Sequence, residues 1–195
     1  MTNNEAIEKL IENSFKELLK IGEENAIKQN AESRLIFPKK RDGEKRVSEQ
    51  ELRFLLAREL EKQKDFYYSV EVPTEDEFSF TGDYPLSART DLCLYNSKGK
   101  KISLIELKYK NVNVKNDFLK LLCDSETEQN YFVQIVDNTN RGTIEKIEKK
   151  YQDALTYIPS TKIKSSVKII LFVISKQLSR KYKINKTGEL SKLNK

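Results

Sequence analysis

The sequence predicts an α/β fold: a mixed sheet of about five strands flanked by helices. Three observations lead there. Apolar residues recur at helical spacing at Ile7, Leu10, Ile11, Phe15, Leu18 and Leu19, and again at Leu52, Leu55, Leu56 and Leu60. From Phe66 the period drops to two, through FYYSVEVP, LSARTDLCLYN and KKISLIELKYK. Beyond residue 115, helical and strand-like segments alternate.

Each element has its own signals. Residues 4–29 form one amphipathic stretch, read as a helix. Residues 36–47, IFPKKRDGEKRV, are a charged connection containing Gly and Pro. Ser48 then stands as an N-cap with Glu51 three residues on, a capping-box pairing, and SEQELRFLLARELEKQ follows as a second helix. Residues 66–73 read as a strand stopped by Pro73. Residues 74–85 read as a loop with a short strand at Phe78–Thr81. Residues 86–96 and 100–110 read as two strands joined by Ser97-Lys98-Gly99. NDFLKLLCDSE (116–126) reads as a helix, NYFVQIVDN (130–138) as a strand, RGTIEKIEKKYQDAL (141–155) as a helix and SVKIILFVIS (166–175) as a buried strand. From Lys176 the chain reads as a basic, partly disordered tail. The expectation is a single domain over 1–195: an N-terminal helix and connection (1–47), a core (48–175) and the tail (176–195). No internal repeat or low-complexity block interrupts it.

Composition narrows the chemistry. Hydrophobic residues make up 37% and charged residues 34%, polar but sufficient for a core. No window carries the roughly 18 consecutive apolar residues of a membrane helix, and MTNNEAIEKLIENSFKELLK lacks the apolar run of a signal peptide. The expectation is a cytoplasmic protein with no membrane partner. Cys93 and Cys123, the two cysteines, suit a reducing compartment and make neither a disulfide framework nor a four-cysteine zinc site. The chain has no histidine, which excludes Ser-His-Asp and Cys-His catalysis and histidine-bound metals. What is left is carboxylate, lysine, hydroxyl and thiol chemistry, and carboxylates without histidine favour a hard cation such as Mg²⁺. The net charge is +6, but residues 161–195 alone hold ten Lys and Arg against one acid, for +9. Such an excess is a footprint for nucleic acid or another polyanion, or a solvated end of a lysine-rich chain.

The segment LIELKYK (104–110) carries the most informative pattern. Alternation puts Ile102, Leu104, Glu106 and Lys108 on one face of their strand, so a carboxylate and an ammonium end an otherwise apolar row. A hairpin loop centred between Lys98 and Gly99, of two or four residues, pairs Leu94 with Ser103, Cys93 with Leu104 and Asp91 with Glu106. Opposed residues have Cβ atoms about 5 Å apart, so these two acids repel unless a cation lies between them. Asp91, Glu106 and Lys108 then form one patch. Two carboxylates and the Leu107 carbonyl are ligands suited to Mg²⁺, with Mn²⁺ as a substitute. Lys108 can orient a water and offset charge on a phosphoryl group. A second E-x-K, at Glu148–Lys150, falls on an expected helix and reads as a solvated face.

The order helix with an internal glutamate, three strands bearing Asp91 on the second and Glu106-Leu107-Lys108 on the third, then helix and strand, resembles the PD-(D/E)XK nuclease superfamily. It covers about residues 48–138. Thr90 stands where the family's proline would be. The resemblance implies a restriction-endonuclease-like fold, Asp91 and Glu106 as metal ligands and Lys108 as the catalytic lysine. It also implies a glutamate from the preceding helix. Glu51 is the choice, equally readable as the partner of Ser48, with Glu49 and Glu59 as competitors. Glu59 lies nearer the centre of the leucine face.

Other features are weaker. Arg53 and Arg89 are candidate phosphate contacts or structural ion-pair partners. In the tail, Lys176, Arg180, Lys181 and Lys183 are candidate contacts to nucleic acid. Arg141-Gly142-Thr143 opens a helix and reads as an anion site or a plain junction. Tyr67, Tyr68 and Tyr84 read as base-stacking or packing residues. The expected function is Mg²⁺-dependent hydrolysis of phosphodiester bonds, of DNA ahead of RNA. From the family it is of restriction, defence or repair type, with a homodimer needed to cut both strands of a duplex. The alternatives are an inactive nuclease-fold module that binds nucleic acid or a protein, and a small interaction protein whose acidic first helix meets a partner.

Overall fold

The computed structural model describes residues 2–23, 35–38, 41, 43, 47–78, 86–110, 113–137 and 140–193. The chain divides into two compact units, Met1–Gln63 and Lys64–Lys195. Among the described residues no helix is long and apolar enough to cross a membrane.

The first unit is a helix pair. Helix α1 (Asn3–Glu23) buries Ile7, Leu10, Ile11, Phe15 and Leu18 of the stripe its spacing predicts; Leu19 is only half-buried, and Ile21 is buried in addition. Residues 24–29, expected to continue it, lie outside the described residues. Helix α2 (Glu49–Glu61) buries Leu52, Leu55, Leu56 and Leu60 and packs on α1. Glu17 and Arg58 bridge the two helices at 3.0 Å. Ser48 caps α2 in a capping box, its amide donating to Glu51 Oε2 at 2.8 Å.

The second unit is a mixed sheet of seven strands in sequence order. Strand β1 (Tyr67–Phe78) pairs antiparallel with β2 (Leu86–Tyr95), and β2 with β3 (Lys101–Tyr109). After helix α3 (Lys115–Cys123), β4 (Gln129–Val136) joins β3 in parallel. After helix α4 (Arg141–Leu155), β5 (Ser166–Val173) joins β4 in parallel. Then β6 (Leu178–Ile184) and β7 (Leu190–Leu193) finish the sheet antiparallel. Phe118, Leu121 and Leu122 of α3 and Ile147, Tyr151 and Ala154 of α4 pack with Cys93, Leu104, Phe132, Ile169 and Tyr182 on one face of this sheet. Phe118 and Phe132 meet edge to face, with ring centres 5.1 Å apart.

Four expectations are corrected. The basic stretch expected as a tail from Lys176 forms two further strands from Leu178 onward, which raise the strand number among the described residues to seven. Beneath its lysines β6 alternates properly: Tyr182 and Ile184 are buried, while Lys181 and Lys183 point the other way. Its hairpin is built by Asn185, whose side chain accepts from the Thr187 and Glu189 amides, with Gly188 at φ 85°. Second, β1 runs through Pro73 to Phe78. It is an edge strand, where a missing N–H is tolerated, and the Thr74 hydroxyl bonds both the amide and the carbonyl of Ala88 where the register shifts. Third, α3 ends at Cys123, because Asp124 turns extended and its carboxylate takes the Glu126 and Thr127 amides. Fourth, β5 stops at Val173 and a short 3-10 turn, Ile174–Lys176, leads into β6. The short strand expected at Phe78–Thr81 falls mostly outside the described residues.

Candidate functional site

The site grows from the β2–β3 hairpin. Asn96 closes the turn, its side chain accepting from the Lys98 and Lys100 amides, and Gly99 takes φ 73°. One residue of irregularity is absorbed next to the turn, where Tyr95 pairs with Lys101. Beyond it the register is the expected one: Leu94 with Ser103, Cys93 with Leu104, Leu92 with Ile105. Continued by one step, that register opposes Asp91 and Glu106.

At that step carboxylates replace ladder bonds. The Leu107 amide donates to Asp91 Oδ2 at 2.7 Å, and the Asp91 amide donates to Glu106 Oε2 at 3.4 Å. Both acids are buried. Burial raises the Glu106 pKa to about 8; the charges of Asp91 and Asp117 add to it, and Lys120 opposes it. Lys108 Nζ lies 3.7 Å from Glu106 Oε1 and 3.5 Å from Asp117 Oδ1, with its side chain 25% exposed. Asp91, Glu106 and Lys108 are thus gathered as their spacing predicts, and the cluster opens toward solvent at Lys108.

The sequence reading missed two members, both on α3. Lys120 Nζ contacts Glu106 Oε1 at 2.7 Å, the Arg89 carbonyl at 2.9 Å and Asp117 Oδ1 at 3.3 Å, and it is as buried as Asp117. Their only sequence signal is a pair of charges three apart among the apolar residues of NDFLKLLC. That spacing is equally the mark of an exposed helical ion pair. What buries them is a helix so closely held that Phe118, Leu121, Leu122 and Cys123, around most of its circumference, are buried too.

The remaining candidates lie on other elements. Glu51, Glu49, Glu59 and Arg53 belong to the first unit. There Glu51 serves the cap of α2, and Glu59 pairs with Lys62. The Arg89 side chain is exposed and its carbonyl meets Lys120. The basic residues of the last strands do not form one surface. Register across the sheet puts Lys108, Gln134, Leu171 and Arg180 in one row, and Leu107, Val133, Ile170 and Lys181 in the next, on the opposite face. Arg180 therefore shares the face of Lys108, where it lies 3.7 Å from Glu148. Lys181 and Lys183 lie on the other face, with Lys183 directly opposed to Lys168. Lys176 is exposed on the turn between β5 and β6. Asn140 caps α4 by accepting from the Thr143 amide at 2.8 Å, so Arg141-Gly142-Thr143 is a capped junction. Tyr84 lies outside the described residues, and Tyr67 is exposed on the edge strand.

A hard cation fits this donor set in kind. Mg²⁺ is commonly held by one or two carboxylates with waters and substrate phosphate completing the shell, and Asp91 and Glu106 supply two. Among the described residues no group of three or more Cys, Asp and Glu side chains is arranged to hold a metal alone. Comparison with known proteins finds no matching family model, curated protein or solved structure.

Proposed function

We propose that the protein is a metal-dependent nuclease of the PD-(D/E)XK type, hydrolysing phosphodiester bonds, of DNA ahead of RNA. The observation that carries this reading is the buried pairing of Asp91 and Glu106 where β2 and β3 part, with Lys108 3.7 Å from Glu106 Oε1. Asp91, Glu106 and the Leu107 carbonyl would hold Mg²⁺ or Mn²⁺. A bound metal of this kind polarises a phosphoryl oxygen and lowers the pKa of a coordinated water. The chain's own part would be as follows. The Leu107 amide orients the Asp91 carboxylate, and a cation bound at Glu106 would take the place of the proton that burial favours there. Lys108, partly exposed, would hold a water or a phosphate oxygen and offset charge developing there. Glu51 as a further acid, a homodimer acting on both strands, and restriction, defence or repair as the setting belong to this proposal through the family resemblance alone.

The test is cleavage of single- and double-stranded DNA and RNA with and without Mg²⁺ or Mn²⁺. Metal-dependent cleavage that Glu106→Ala and Lys108→Ala abolish while binding persists supports the nuclease. If the wild-type protein degrades none of these substrates, the reading fails. One observation favours the alternative, an inactive nuclease-fold module that binds nucleic acid or a protein: Glu106 Oε1 is already paired with Lys120 at 2.7 Å. On that reading the Glu106→Ala variant binds as the wild type does and neither cleaves.

A further inference from the structure

Three carboxylates, Asp91, Glu106 and Asp117, share the site with two ammonium groups, Lys108 and Lys120. The two lysines are not equivalent. Both approach the same two atoms, Glu106 Oε1 and Asp117 Oδ1, but Lys120 is closer to each: 2.7 and 3.3 Å against 3.7 and 3.5 Å. An ammonium has three N–H donors. Lys120 Nζ has three oxygens within reach, from β3, α3 and, through the Arg89 carbonyl, β2. Its side chain is 8% exposed against 25% for Lys108. That is the surrounding of a bound cation: oxygens from three elements converging on one charge in a desolvated place.

Resting on the nuclease reading, we infer that Lys120 is the resident counter-cation of this site, and that a divalent metal binds Glu106 only by displacing the Lys120 ammonium. With all three carboxylates ionised and both lysines in place, a divalent ion would turn the cluster from one net negative charge to one net positive. It would also set the metal beside an ammonium on a single carboxylate, a strong like-charge contact in a buried setting. Lys120 can withdraw because four flexible carbons connect its charge to α3. Lys108, more exposed, is the lysine left to act. The ammonium of Lys120 thus holds the two strands and α3 together in the metal-free protein and sets a threshold for metal entry.

Calorimetric titration of Mn²⁺ into the full chain tests this. Lys120→Met should bind Mn²⁺ roughly tenfold tighter than the wild type or better, since one like charge has been removed from a buried site. If the wild type binds Mn²⁺ and Lys120→Met binds no more tightly, the displacement is wrong while the metal site stands. If neither binds, both fall. A second measurement uses the wild-type protein and so avoids any folding defect in the variant. Reductive methylation of Lys120, read by mass spectrometry, should increase several-fold when Mg²⁺ is added; an unchanged rate overturns the inference.

Discussion

The backbone amide of Leu107 donates to Asp91 Oδ2 at 2.7 Å. Past the Leu92–Ile105 pair, a side-chain carboxylate on β2 thus takes an amide of β3 that a neighbouring carbonyl would otherwise receive. The bond does two things. It satisfies a buried donor where the strands part, and it fixes the orientation of the carboxylate beside Glu106.

These roles separate by substitution. Asp91→Asn keeps an oxygen acceptor for the Leu107 amide, whereas Asp91→Ala leaves that amide unpaired in a buried place. Denaturant unfolding should find Asp91→Ala less stable by about 1–3 kcal/mol and Asp91→Asn less affected. Both should lack metal-dependent cleavage, since neither offers a charged ligand. Equal stability of Asp91→Ala and wild type would show that the bond contributes nothing.

Glu106 makes stability depend on pH. Its folded pKa of about 8 lies above the ordinary value of 4.5, with burial as the chief cause. Between those values the folded protein holds a proton that the unfolded chain has released, so this group favours folding as the pH falls through the window and disfavours it as the pH rises. Thermal unfolding from pH 5 to 9 in the absence of divalent ions should show melting temperature falling with rising pH, with a shallower slope in Glu106→Gln. A Glu106→Gln slope as steep as that of wild type would assign the dependence to other groups.

Thr90 offers a stability test outside the chemistry. Its residue is 1% exposed, and its Oγ1 has no hydrogen-bond partner among the described residues. A buried, unpartnered hydroxyl costs about 1–3 kcal/mol, so the similarly shaped Thr90→Val should be neutral or more stable. A loss of more than about 1 kcal/mol in urea unfolding would mean the hydroxyl is bonded in solution.

The basic strand calls for charge substitution rather than truncation, because Tyr182 and Ile184 of β6 are buried and removing residues 176–195 would strip two strands from the sheet. Lys181→Gln with Lys183→Gln should flatten the salt dependence of polyanion binding by about 2 in log–log slope, if each contacts one phosphate. Cleavage at saturating substrate should persist, since both lysines lie on the face opposite Glu106. An unchanged slope would remove β6 from the binding surface.

Much of this architecture was legible because its determinants are local. The leucine stripes of α1 and α2, the Ser48–Glu51 cap and the alternation of β2 and β3 are each set within a few residues, and the turn with the one-residue irregularity beside it sets which acid opposes which. The last two strands were hidden for a physical reason. Long lysine side chains cover apolar neighbours while keeping their charges in water, so a strand with only Tyr182 and Ile184 buried reads as a solvated tail.

By itself the sequence determined the kind of chemistry available, carboxylates and lysines without histidine, and the meeting of Asp91 with Glu106 and Lys108. Only the tertiary structure decided what surrounds them. Asp117 and Lys120 reach the site because α3 packs on the sheet at that point, and Lys181 parts from Arg180 because register across β3 to β6 assigns their faces. Contacts between elements far apart in the chain depend on packing and register, which no short window of residues encodes.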